Sequence, residues 1–134
     1  MQKPLPDQDS IVREHLLAFV EAFVVSRRRE RFRAKPDEVL DALCHRSQQV
    51  LDLRRAIRVP TSTPIDTVIH ALSVARVSTA VYLGAWAGLE CRQYDLTTAI
   101  WMVESAGGAA ASILPGRLAY TLGEVPDNRA DRYI

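Results

Sequence analysis

Cysteine is scarce in this chain. Cys44 and Cys91 are the only two in 134 residues, they stand far apart, and neither belongs to a CxxC or a Cys/His ligand spacing. Such a pattern gives no support to a disulfide framework or a zinc site, and two reduced, partly buried thiols are expected. Long apolar runs are missing as well. The longest uncharged run, Val77 to Leu89, falls short of the ~20 apolar residues that span a bilayer, so no membrane partner is expected. Nor is there an excess of charge of one sign: 17 basic residues face 16 acidic ones, for a net charge of +1. This argues against a nucleic-acid coat over the whole surface and leaves any electrostatic specialisation local. At the N-terminus Pro4, Pro6, Asp7 and Asp9 precede the first apolar run, which is not the basic-then-apolar order of a signal peptide, and the expected compartment is the cytoplasm.

Motifs that carry chemistry are equally sparse. His15, His45 and His70 are scattered over predicted helices, and no paired carboxylates stand at strand ends. Cys44 and His45 adjoin, but neighbours on a helix point about 100° apart and do not readily share a proton. Gly107-Gly108 ends a helix, whereas a phosphate loop lies between a strand and a helix N-terminus. No catalytic residue, metal ligand or cofactor site is therefore assigned.

What is present is hydrophobic periodicity. Residues 1–8, with their prolines, read as a lead-in, and Ser10 is placed to cap a first helix in which Val12, Leu16, Phe19, Val20 and Phe23 recur at helical spacing. A second helix opens at Pro36, with Asp37 and Glu38 at its positive end and Val39, Leu40, Leu43, Val50 and Leu51 as its stripe. Ile57 and Val59 alternate in a short basic connector that Pro60 ends, an edge-strand pattern. Thr63-Pro64 with Asp66 reads as a capped start for a third helix carrying Ile65, Val68, Ile69 and Leu72. Val77 to Leu83 alternates in strand-favouring residues, Asp95 is placed to cap a fourth helix, and Gly107-Gly108 closes it.

The centre of the chain lies beyond that stop. Ala109 to Leu114 is short, uncharged and mostly apolar, as in a strand covered on both faces. Pro115-Gly116 suits a type II turn in a connection looser than a two-residue hairpin, or bulged. Arg117 to Leu122 alternates as a half-exposed strand, and Arg132-Tyr133-Ile134 can return as a final edge. From Val77 to Leu114 the order strand, helix, strand predicts a crossover with parallel strands. The fold class read from this is α+β: one domain over 1–134, with helices in 9–53 packed against a small mixed sheet in 60–134. That sheet has three to four strands, a βαβ unit and a C-terminal antiparallel strand.

The main electrostatic feature is the run Arg27 to Lys35, six basic residues and one acid in nine positions. Charge runs on neutral domains are most often solvated helix ends whose stems cover apolar surface. The functional reading takes Arg28, Arg29, Arg31 and Arg33 as contacts for an acidic protein surface, with Trp86, set between small residues, as a further anchor. Nucleic-acid or phosphate binding by Arg27 to Arg33 is the alternative, and a small enzyme whose pocket forms only on folding is a third. The expected function is a non-enzymatic binding or regulatory protein of immunity or accessory type.

Phe23-Val24-Val25 with Arg28-Arg29-Glu30-Arg31-Phe32, and Ile113-Leu114-Pro115-Gly116-Arg117-Leu118-Ala119-Tyr120 followed by Arg132-Tyr133-Ile134, resemble an uncharacterised family of small bacterial proteins. The resemblance spans most of the chain and is more specific in the C-terminal pattern. It implies an α+β rather than an all-α fold, and no activity. Where that family has a polar, acidic loop after its first strand, this chain has Ala85-Trp86-Ala87-Gly88.

Overall fold

The computed structural model describes residues 8–60, 62–86, 88–106, 108–122 and 132–133. Five helices and a six-stranded sheet follow one another among them. Helices α1 (Gln8–Phe23), α2 (Ser26–Ala34) and α3 (Asp37–Val50) come first, then a 3-10 turn (Leu53–Arg55) and strand β1 (Arg58–Val59). Helix α4 (Ile65–Ser73), β2 (Thr79–Leu83), β3 (Gln93–Asp95), α5 (Leu96–Ala106), β4 (Ala109–Leu114), β5 (Leu118–Leu122) and β6 (Arg132–Tyr133) complete the order. The sheet runs β1-β6-β5-β4-β2-β3, and every neighbouring pair is antiparallel. The α+β class with N-terminal helices therefore holds.

The predicted parallel pairing of Val77–Leu83 with Ala109–Leu114 does not hold. β2 pairs antiparallel with β4, Tyr82 opposite Ala111. The reason is β3, which first reverses the chain beside β2, Ala80 opposite Tyr94, before α5 begins. Because β3 and β4 each run against β2, they are parallel to one another with β2 between them, so α5 is the crossover of a split β-α-β unit. The final segment also sits elsewhere than predicted. β6 is an inner strand, with Thr121 opposite Tyr133 on one side and Arg58 opposite Tyr133 on the other, and β1 forms the edge.

The two sheet faces carry separate cores. On one, Leu16, Phe19 and Val20 of α1, Phe32 of α2 and Val39, Ala42 and Leu43 of α3 close over Val81, Leu83, Ala110 and Ala119. On the other, Val68 and Leu72 of α4 and Leu96, Ala99, Ile100 and Val103 of α5 close over Ala80, Tyr82, Ala111, Ile113, Tyr120 and Leu122. The run Ala109 to Ile113 is buried throughout, as its lack of charge predicts, and its small side chains let helices approach from both sides. The alternation of β5 predicts a half-exposed strand, yet Ala119 and Thr121 are buried along with Tyr120 and Leu122, because the first helical layer extends over them.

Local chemistry explains the joints. Asp95 receives hydrogen bonds from Thr98, backbone N–H at 3.2 Å and Oγ1 at 2.8 Å, and so caps α5. The Arg117 N–H donates to the Leu114 carbonyl at 2.9 Å across Pro115 and Gly116, whose φ of +70° marks a type II turn. The register shifts between Ser112 and Leu114, so the hairpin is bulged. Gly108 has φ +74°, and its N–H binds the Leu122 carbonyl at 2.8 Å. A Cβ there would stand 2.7 Å from the Cys44 Cα, so α3 can lie against this corner only because the residue is glycine.

Two caps differ from expectation. α4 has Pro64 at its N-cap, one position after the predicted Thr63 cap. Ser10 lies within α1 and does not begin it. Most of the predicted lead-in, residues 1–7, falls outside the described residues, as do the first glycine of the predicted stop, residue 107, and the polar stretch 123–131.

Candidate functional site

The arginine run occupies a helix of its own. α1 ends at Phe23, and the chain bends through Val24 and Val25 because this bend is stitched to the end of α3. The Asp52 N–H donates to the Phe23 carbonyl at 2.7 Å and the Val25 N–H to the Val50 carbonyl at 2.8 Å, around a bridge between Val24 and Leu51. From the bend α2 sets off with Phe32, only 3% exposed, as its anchor in the core. The other side chains of the run are therefore thrown outward or back along the flanking helices.

Their fates divide sharply. Arg29 donates through Nε to the Val24 carbonyl at 2.9 Å and so covers a backbone acceptor that the bend leaves open. Arg33 donates through Nε to Glu21 Oε1 and through Nη2 to Oε2 at 3.1 Å, a forked pair back to α1, and this guanidinium holds the Glu21 carboxyl below its ordinary pKa. Arg31 pairs through Nε with Glu38 of α3 at 2.8 Å. Three of the four predicted contact arginines are thus engaged within the chain. Arg28 is not: its Nε is buried and has no hydrogen-bond partner. Arg27 is exposed.

Between α2 and α3 lies a cleft of about 220 Å³, bounded by Arg28, Arg31, Phe32, Glu38 and Asp41. Here the structure joins two predicted site residues, Arg28 and Arg31, around a common space. Glu38 and Asp41 escaped the sequence reading as site residues, although their i,i+3 spacing on α3 puts both on one face. Trp86 is not among the lining residues; it stands 54% exposed on the loop after β2. Trp101, half exposed on α5, is a second outward aromatic, and its position beside Ile100 and off the buried stripe is the signal for it.

Other polar groups lie outside this cleft. His15 Nδ1 lies 2.7 Å from Ser112 Oγ, joining α1 to the central strand. Ser112 is fully buried and His15 is 9% exposed, so this Ser-His pair is sealed inside the core and burial pulls the histidine's pKa down. Cys91 donates through Sγ to the Gly84 carbonyl at 3.2 Å, and burial pushes its thiol up, away from the reactive thiolate. His45 is exposed and turned toward Asp41, at 3.7 Å. No described helix is long and apolar enough to cross a membrane, and no group of three or more His, Cys, Asp or Glu among the described residues is arranged to hold a metal ion.

A second, apolar cleft lies among Phe19, Phe23, Leu51, Ala56 and Ala119 and encloses about 20 Å³, room for one water-sized group. Thr121 borders it, with Oγ1 buried and unpartnered.

No family model, no curated protein and no solved structure matches this chain.

Proposed function

We propose that the protein is a binding module that docks through α2 and the α2–α3 cleft onto an acidic protein surface. The observation behind this reading is the uneven use of the arginines. Arg29, Arg31 and Arg33 hold the fold, while Arg28 keeps an unmet donor beside an open cleft and Arg27 projects from the first turn of the same helix. Arg28 is half-buried at the edge of the cleft, and a carboxylate from a partner reaching its guanidinium there would gain a charge-assisted hydrogen bond. An arginine so placed marks a contact better than a run of solvated charge does.

The experiment is affinity capture from nuclease-treated lysate of the source cell with wild type and an Arg27→Glu/Arg28→Glu double variant. Reversing Arg29 or Arg31 would mix lost contacts with lost folding, so they are left in place. A protein retained by the wild type and lost by the variant supports this function. Material that disappears with nuclease moves the reading to nucleic acid, whose binding would also fall steeply with salt.

A further inference from the structure

The cleft beside Arg28 is not a basic pocket. Its walls bear two cations from α2, Arg28 and Arg31, and two carboxylates from α3, Glu38 and Asp41, and Phe32 also borders it. Arg31 and Glu38 neutralise one another at 2.8 Å. That leaves Arg28, with its unpartnered Nε, and Asp41, whose ion-pair neighbour His45 is 3.7 Å away and bears charge only when protonated. A purely anionic group entering this space gains at Arg28 and is repelled at Asp41. A purely cationic group meets the reverse. Only an occupant with one charge of each sign gains at both walls.

We infer that the cleft takes an amphoteric group, a carboxylate for Arg28 together with an ammonium or guanidinium for Asp41, as presented by a partner segment in which Asp or Glu has Lys or Arg beside it. This rests on the reading of α2 as the docking face and narrows it: the acidic surface carries a base at the point of insertion. The cleft of about 220 Å³ accommodates two such side-chain ends. The arrangement also gives specificity, because a polyacidic competitor meets Asp41.

The test uses small probes on the full chain. Amide shifts on α2 and α3 are followed by NMR during titration with 6-aminohexanoate, hexanoate and hexylammonium. The zwitterion is expected to bind about threefold tighter than either singly charged probe, the factor one added exposed charge pair supplies. Arg28→Gln should reduce it to the level of hexylammonium, and Asp41→Asn to the level of hexanoate. Both side chains border an open cleft, and unchanged amide spectra elsewhere verify the folds. If hexanoate binds as well as 6-aminohexanoate and Arg28→Gln abolishes both, the amphoteric inference is overturned while docking through α2 stands. If the titrations ignore Arg28→Gln, or no α2 or α3 amide moves, the inference falls; unchanged capture by the Arg27/Arg28 variant would bring the docking reading down separately.

Discussion

Arg33 and Glu21, twelve residues apart, face each other across the bend at Val24 and Val25 and share a forked pair of hydrogen bonds. The guanidinium with the best-matched carboxylate in the basic run is thus used to fold α2 back on α1. Both side chains are about half exposed, so salt screens the pair. Arg33→Gln should weaken the docking of α2. Glu21 has a folded pKa below its unfolded one, so its contribution is present above the unfolded pKa and is lost as pH falls through the folded one. Urea midpoints for wild type and Arg33→Gln should differ at neutral pH and converge in acid; a constant difference would contradict the pairing.

His15 and Ser112 act on the same acid limb of the pH profile, beginning at a higher pH. Burial depresses the histidine, so below about pH 6.5 the unfolded chain takes up a proton that the folded chain refuses. Stability therefore falls as pH drops from there toward the folded pKa and levels off below it. Glu14 acts against this shift but is outweighed by burial. His15→Asn, which keeps a polar group near Ser112 Oγ, should flatten that part of the profile. Wild-type stability that is level between pH 6.5 and 5 would contradict the buried, neutral histidine.

Gly108 combines a left-handed backbone with contact against the Cys44 backbone, where an added Cβ would stand 2.6 Å from its carbonyl oxygen. Neither conflict can be relieved by turning a side chain, so Gly108→Ala should cost about 3 kcal/mol or more. Gly116 shares the left-handed φ, but its nearest neighbour would be 3.4 Å away, and Gly116→Ala should cost less, about 1 kcal/mol. Equal losses on denaturant unfolding would refute the packing argument at Cys44.

Thr121 reverses the usual direction of a core substitution. Its Oγ1 is buried without a partner, so Thr121→Val removes an uncompensated hydroxyl at constant shape. A gain of about 1 kcal/mol is expected by denaturant unfolding. A loss instead would mean that the small cleft beside it holds a bound water or ligand that the hydroxyl serves.

Much of this architecture was legible because the signals were local. The cap at Asp95, the turn at Pro115-Gly116 and the two-sided burial of Ala109 to Ile113 each follow from residue types within a few positions of one another. β3 was not legible: Gln93-Tyr94-Asp95 is too short to show alternation, and missing it turned an antiparallel neighbour into a parallel one. The cover over Ala119 and Thr121 comes from a helix about a hundred residues earlier, a distance at which periodicity carries no information. The same separation hides His15 from Ser112. For the candidate site, the sequence marks the arginines as a group, but which of them is left over depends on the bend at Val24 and Val25, fixed by bonds to Val50 and Asp52.

Docking through Arg28 rather than through the run as a whole is most directly tested by affinity capture with two single variants, Arg28→Gln and Arg33→Gln, each melted in parallel. Arg28→Gln should lose the nuclease-resistant partner while melting at or above the wild-type temperature, since it gives up an unpartnered buried donor. Arg33→Gln should keep the partner while melting lower. The reverse pattern, partner retained by Arg28→Gln and lost by a stably folded Arg33→Gln, would contradict the assignment.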